Sequence, residues 1–177
     1  YCEELKAKGL EKIITEKTGL LLDPYFSASK ARWLINKHKV DPKKYFFGTI
    51  DTFLVWKLTQ GKAFKTDITN ASRTSLLNID LGIWDEELLD IFELRGLNLP
   101  EVTKNASDFG TTKIFGGKIR ISGVAGDQQA SLIGQGCFSQ GQVKSTFGTG
   151  CFLMANSGNE RQNSSNRLLS TVGYQIK

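Results

Sequence analysis

The sequence predicts an α/β protein, and three observations carry that reading. Apolar residues recur at helical spacing through the first half of the chain. Near the middle of the second half, an apolar run ending in Gly123-Val124-Ala125 turns at Gly126-Asp127 into a helical pattern. Beyond it, Ser145-Thr146-Phe147-Gly148-Thr149-Gly150-Cys151-Phe152 reads as two apolar strands joined by a glycine-rich turn.

The elements follow in order. Residues 2 to 17 read as one amphipathic helix, with Leu5, Leu10, Ile13 and Ile14 apolar and Gly19 placed to end it. Leu20-Leu21-Leu22-Asp23-Pro24 is a short apolar run broken by proline. Ser27 is placed to cap a second helix through Asn36, with Ala31, Leu34 and Ile35 on its inner face. Asp41-Pro42 marks a turn. Thr49 starts a third helix, whose Ile50, Phe53, Leu54, Lys57 and Leu58 trace one stripe before Gly61. Thr74 to Ile79 resembles a strand, Asp85 caps a helix through Leu94, and Pro100 opens a polar loop. In the last third, Ile119-Arg120-Ile121 alternates and runs into a buried strand end at Gly123-Val124-Ala125. Gln128 to Gly134 reads as a helix, and Val143–Phe147, Cys151–Ala155 and Leu168–Tyr174 as three strands of an antiparallel meander. The glycine-containing stretch from Gly134 to Gly141 is the best candidate for a domain junction.

Composition narrows the chemistry. A chain of 177 residues buries a sizeable core in one domain, at most two. No apolar run approaches the roughly 20 residues that a spanning helix needs. Cys2, Cys137 and Cys151 are scattered and odd in number, which suits a reducing cytoplasm and inert packing roles rather than a disulfide framework. His38 is the single histidine and sits in a polar run, so a histidine zinc site or a Ser-His-Asp triad lacks material. The net charge is +5, but lysines alternate with acids, as in Glu3-Glu4-Leu5-Lys6-Ala7-Lys8, and no basic block forms for nucleic acid. Trp33, Trp56 and Trp84 fall in or beside helical patterns and are expected to pack. The chain begins at Tyr1 inside a helical pattern and ends at Lys177 in or just after a strand-like run, so a piece of a larger protein is expected.

Two local features bear on function. Asp127 stands where a strand gives way to a helix, the end of an open α/β sheet at which ligands bind. A carboxylate there accepts a proton from an attacking hydroxyl, orients a magnesium ion, or simply caps the helix. The turn Gly148-Thr149-Gly150 lets backbone amides and a hydroxyl approach phosphate, or is an ordinary hairpin turn. Tyr25, on a loop before a helix, either holds a polyol hydroxyl or packs. A base near a phosphate cradle, with no nucleophilic triad, points to phosphoryl transfer onto a hydroxyl.

Seven stretches, in register over nearly the whole chain, resemble the glycerol kinase branch of the FGGY carbohydrate kinases. They are Asp23-Pro24-Tyr25-Phe26-Ser27-Ala28-Ser29-Lys30 with Trp33, and Gly48-Thr49-Ile50-Asp51-Thr52-Phe53-Leu54-Val55-Trp56-Lys57-Leu58-Thr59. Next come Thr66-Asp67-Ile68-Thr69-Asn70-Ala71-Ser72-Arg73-Thr74, Trp84-Asp85 and Leu99-Pro100-Glu101-Val102. Gly126-Asp127-Gln128-Gln129-Ala130 and Gly148-Thr149-Gly150-Cys151-Phe152 complete the set.

The resemblance implies a ribonuclease H-like fold of the actin/hexokinase/Hsp70 type, partial here. Residues 1–139 would be the later part of the N-terminal, substrate-binding domain, and residues 140–177 the first strands of a nucleotide-binding domain. It implies transfer of the ATP γ-phosphate to glycerol, with Mg2+, in a cytoplasmic enzyme that works as a homo-oligomer without nucleic acid or membrane. Asp127 matches the family's catalytic base and is also the residue placed near the metal. Tyr25, Asp127, Gln128 and Phe152 match its glycerol pocket, and Gly148, Thr149 and Gly150 its nucleotide contacts. The family's first phosphate hairpin, an Arg-Glu pair, a pocket tryptophan and the adenine site have no counterpart in these residues, so the piece alone is expected to be inactive. Another sugar or polyol kinase of the family, or a non-catalytic binding module, are the competing readings.

Overall fold

The computed structural model describes residues 1–176. The first helical stretch is two helices, α1 (Cys2–Ala7) and α2 (Glu11–Thr18), rather than one. The chain breaks between them at Gly9, whose φ of 74° is a conformation that side chains avoid. Cys2, Leu5 and Ile14 still share the inner face across the break. Gly19 ends α2 as expected, at φ 72°, with its N–H on the Thr15 carbonyl. A Cβ there would also collide with the Ser170 carbonyl.

Helix α3 spans Ser27–His38. Phe26, buried and extended, takes the cap position in place of Ser27, so the helix is anchored by packing rather than by a hydroxyl. Ala28, Ala31 and Ile35 face the core, while Leu34 and Trp33 are exposed. Asp41-Pro42 does turn the chain, through a 3₁₀ turn over Pro42–Lys44 with Asp41 accepting from the Lys43 N–H.

Helix α4 covers Ile50–Leu58, but with the opposite face inward to the one its pattern suggests. Asp51, Thr52 and Val55 are buried; Ile50, Phe53, Leu54 and Trp56 are exposed. The reason is a polar anchor. Asp51 accepts hydrogen bonds from the hydroxyls of Thr49 and Thr66, and Val55 packs on Ala63 and Phe109. A charged group buried with its donors outweighs the pull of the apolar stripe, which nothing in these residues covers.

The next segment is the structural hub. Strand β1 (Lys65–Asp67) leads directly into the short helix α5 (Ile68–Ala71). The strand expected at 74–79 shrinks to β2 (Leu77–Asn78), since Ser75 adopts φ 63° and bends the chain. It pairs antiparallel with β3 (Ile83–Trp84). Trp84 packs as expected, with its indole N–H on the Pro100 carbonyl. Asp85 caps α6 (Glu86–Ile91) through the N–H groups of Glu87 and Leu88, and the helix stops short of the expected Leu94. Pro100 opens a strand, not a loop: β4 (Glu101–Thr103) runs parallel to β1, with Thr66 opposite Val102.

Strands β5 (Thr111–Thr112) and β6 (Ile119–Arg120) form a short hairpin. Residues 123–125 form no strand; Val124 exchanges hydrogen bonds with Asn105 and packs on the cluster of Val55, Ala63 and Phe109. Helix α7 (Asp127–Gly134) follows, then the hairpin of β7 (Val143–Phe147) and β8 (Cys151–Ala155), in antiparallel register as expected. Residues 168–174 do not add a third strand. They run back over the first half of the chain. Ser170 N–H bonds the Gly19 carbonyl, Val172 packs on Ile68, Ala71 and Leu77, and Gln175 exchanges bonds with Asn105. Arg161, upstream on the same return path, caps the end of α2 by donating to the Thr15 and Glu16 carbonyls and to Asp80.

The main core gathers Leu5, Ile14, Leu22, Leu76, Leu88, Phe92 and Leu94. Each such side chain contributes roughly 1.5–3 kcal/mol by leaving water. At its edge, burial would raise the Asp85 carboxyl. The Lys17 ammonium, the Asn78 amide and the Leu88 N–H outweigh that and hold it below its ordinary value. Such a depressed carboxyl stabilises the fold above the carboxylate range, and the contribution is lost as pH falls through its folded-state pKa. Lys17→Met is therefore expected to destabilise the chain at neutral pH and to match the parent once Asp85 is protonated. Urea titrations at neutral and strongly acid pH check this; an undiminished deficit in acid would contradict it.

Asp67 is fully buried and gathers five donors: the N–H and hydroxyl of Thr69, the N–H and side-chain amide of Asn70, and the Asn105 amide. Asp67→Asn keeps the shape but turns one acceptor into a donor facing donors. A loss of about 1–3 kcal/mol in unfolding free energy is expected, the penalty of a buried group left unmatched. Chemical denaturation measures it.

Candidate functional site

The site is built outward from Asp67. Its carboxylate holds the Thr69 hydroxyl, which in turn accepts the Gly126 N–H at 2.9 Å. It also holds the Asn105 amide, which donates to the Val124 carbonyl at 3.0 Å, while Val124 N–H returns a bond to the Asn105 backbone. Residues 124 and 126 are thus clamped from below, and the chain emerges at Asp127 in a set direction. Space at Gly126 is tight: a Cβ would come within 2.6 Å of the Gln129 side-chain oxygen, which would have to shift.

Asp127 is the first residue of α7, and the cap position belongs to Gly126. Among the described residues its carboxylate accepts no backbone N–H, the bond that a capping side chain would make. It is exposed, and its one side-chain hydrogen bond among the described residues comes from the Gln128 amide nitrogen, 3.3 Å from Oδ2.

Gln128 reaches the other way as well. Its Oε1 accepts from Lys144 Nζ at 2.6 Å, and the same ammonium donates to the Thr146 hydroxyl at 2.8 Å. Lys144 and Thr146 lie on one face of β7, opposite Met154 and Phe152 of β8. Phe152 therefore shares the face that meets α7, and its ring also lies against Gly150. The turn itself closes with Gly148 N–H on the Gly150 carbonyl at 2.9 Å. Neither Gly148 nor Gly150 adopts positive φ, and a Cβ on Gly148 would meet nothing closer than 3.8 Å. The fold by itself gives Gly148 no reason to lack a side chain. Thr149 stands exposed at the apex.

Of the residues singled out by sequence, Asp127 and Gln128 are in contact, and the Lys144–Gln128 bond links them to the hairpin that carries Gly148, Thr149, Gly150 and Phe152. Tyr25 makes no hydrogen bond to any of them. It is 63% exposed, edge-on to Phe26, with Lys30 beside its ring. Its link to the site is indirect: Ala28 N–H bonds the Thr74 carbonyl, so the loop bearing Tyr25 and the turn bearing Asp127 hang on the same segment around α5. Arg73, at the end of that segment, stacks over Phe26, and burial lowers its pKa against the opposing influence of Tyr25. Sequence reasoning missed Lys144 and the Asp67–Thr69–Asn105 clamp. The first carried no signal, being one lysine among many. The second was visible only in part, as the polar string Thr66 to Thr74, whose bonds to Asn105 and Gly126 span long stretches of sequence.

Among the described residues, no group of three or more His, Cys, Asp or Glu side chains converges as a metal site, and no helix is long and apolar enough to cross a membrane.

Comparison with known proteins places the chain. Residues 1–134 match the FGGY family of carbohydrate kinases, N-terminal domain. The chain is 52% identical to a glycerol kinase of Sinorhizobium fredii, over 99% of this chain and 37% of that protein. Against one from Gluconobacter oxydans the identity is 53%, over 99% and 36%. The chain therefore spans little more than a third of the length of the curated relatives it matches. Among solved structures, Plasmodium falciparum glycerol kinase with ADP superposes with a TM-score of 0.91 at 39% identity, over 98% of this chain and 36% of that one. A ligand-bound xylulose kinase from Lactobacillus acidophilus superposes with a TM-score of 0.76 at 26% identity, over 86% and 32%. The partial α/β domain is thus of the ribonuclease H-like type shared by these kinases, and with its N-terminal domain profile matched across residues 1–134 this chain belongs to the FGGY family of carbohydrate kinases.

Proposed function

We propose that this chain is a segment of an ATP-dependent glycerol kinase, with residues 1–139 in the substrate-binding domain and residues 140–177 opening the nucleotide-binding domain. The observation that carries the reading is the seating of Asp127. An exposed carboxylate without capping duty stands on a turn clamped by buried hydrogen bonds, one residue from the Gln128 link to a glycine hairpin. Identity of 52% to a glycerol kinase over nearly the whole chain supports glycerol as the acceptor.

In this reading Asp127 accepts the proton of the terminal hydroxyl. That oxygen forms its bond to the γ-phosphorus as the bond to the ADP oxygen breaks. Tyr25 and Gln128 hold the remaining hydroxyls, and Phe152 lines the pocket. The Gly148-Thr149-Gly150 turn offers the nucleotide phosphates backbone N–H groups and a hydroxyl, and a Gly148 free of side chain permits close approach. One exposed carboxylate fits a magnesium ion held mainly by phosphate oxygens and water, as Mg2+ commonly is. When bound with the nucleotide, it would offset the charge that develops on the transferring group. A homo-oligomeric, cytoplasmic enzyme completes the proposal. The uncovered apolar face of Ile50, Phe53 and Leu54 supports further protein contact there.

The full-length kinase is the proper object of test. Asp127→Asn is expected to cut turnover by about 10²–10⁴-fold, the usual effect of losing a positioned base. Glycerol affinity by calorimetry should stay within about tenfold, since a single hydrogen bond is worth about 1 kcal/mol. Near-normal turnover in a folded variant would refute the assignment. Turnover by the parent on another polyol or sugar in place of glycerol would refute the substrate.

Thr149→Val removes one donor at the apex while keeping the branched shape. The apparent requirement for ATP is expected to rise, by up to the roughly 1.5–3 kcal/mol of a hydrogen bond to a charged group, with that for glycerol little changed. Steady-state kinetics in both substrates decide; a change confined to glycerol would reverse the orientation of the cleft.

A further inference from the structure

Lys144 is 2% exposed, the second residue of β7, and makes no ion pair with a carboxylate among the described residues. A buried ammonium without a counter-ion is costly, and methionine or leucine would fill the same volume without that cost. Its two bonds show what the charge does. One goes to Thr146 on its own strand, and the other crosses to α7 and takes Gln128 Oε1.

An ammonium carries only donors, so it can bond only the oxygen of the Gln128 amide. That settles which way the amide faces, a matter often ambiguous for glutamine. With Oε1 held by Lys144, Nε2 is turned to Asp127, where it stands 3.3 Å from Oδ2. The chain of contacts is therefore directional: Lys144 donates to Gln128, and Gln128 donates to Asp127. It joins the face of the glycine hairpin to the carboxylate at the head of α7.

We infer that Lys144 is a positioning residue for the phosphoryl-transfer site: its ammonium fixes the orientation of the Gln128 amide and, through it, the Asp127 carboxylate. The inference rests on the roles proposed above for Asp127 and Gln128. Lys144 touches neither substrate. It acts through Gln128, and its loss frees that amide to rotate and present its oxygen to the carboxylate, a repulsive arrangement.

The test is a double-mutant cycle in the full-length kinase with Lys144→Met and Gln128→Ala. The wild type is assayed first on glycerol and on a panel of other polyols and sugars, and the cycle is run on whichever acceptor is phosphorylated. Failure on glycerol alone then sinks the substrate reading without touching the Lys144 inference. Lys144→Met is expected to lower kcat/KM for the acceptor by about 10- to 100-fold, with the apparent KM for ATP changed less than about twofold. The double variant should lose no more than Gln128→Ala alone, because the two residues act in series. Additive losses would overturn the inference. So would a defect that falls on ATP, which would mean that Lys144 acts through Thr146 and the hairpin. Should Lys144→Met not fold, Lys144→Gln keeps a donor of similar reach. Its deficit should be smaller than that of Gln128→Ala and should vanish in the Gln128→Ala background; a deficit that persists there overturns the proposal.

Discussion

One buried carboxylate organises this chain. Asp67 ends a short parallel strand, starts α5 and accepts bonds from Thr69, Asn70 and Asn105. Burial pushes its carboxyl up, while the bonds from Thr69 and Asn70 pull it down. A carboxylate in such a place is tolerated only with its acceptor sites filled, and of the groups that fill them Thr69 and Asn70 are local while Asn105 comes from a distant part of the chain. Thr69 passes the constraint to Gly126 and Asn105 passes it to Val124. The returning segment also closes on Asn105, through Gln175. The turn that presents Asp127 is therefore held by the clamp beneath it, which suits the role proposed for that carboxylate, since such a role needs preset geometry.

The two carboxylates illustrate opposite uses of one functional group. Asp67 is surrounded, saturated and inaccessible; Asp127 is exposed and nearly free of protein donors. A saturated carboxylate builds structure, and an unsaturated one remains open to a ligand. Lys144 shows a third arrangement, a buried charge whose bonds run toward a site rather than toward a counter-ion. Its bond to Gln128 ties the hairpin to α7, and among the described residues no backbone ladder joins β7 and β8 to the strands of the first half.

Several features were legible in the sequence for physical reasons that act locally. Gly19 ends α2 because a left-handed residue is needed there, and Asp85 caps α6 because its side chain reaches the N–H groups two and three residues on. The β7–β8 hairpin follows from alternation around a short glycine turn. The failures share a different cause. The stripe of Ile50, Phe53 and Leu54 reads as a buried face, yet α4 is turned by the bond between Asp51 and Thr66, fifteen residues away. Residues 168–174 have strand composition but no strand partner, because they pack on α5 and bond to Gly19 and Asn105 instead. Trp33 and Trp56 lie open beneath lysines rather than inside the core.

By itself, then, the sequence determined the α/β class, the family resemblance, most helix ends, the hairpin, and the residue types at the site: a carboxylate before a helix and a glycine turn between strands. Those depend on backbone preference and on spacing within a few residues. The tertiary structure decided which face of α4 turns inward and where the returning segment runs. It also decided that Asp127 does not cap its helix, and that Lys144 reaches it through Gln128. Such outcomes depend on how buried polar groups find partners across long separations, and no local pattern encodes a bond whose two ends are far apart in the chain.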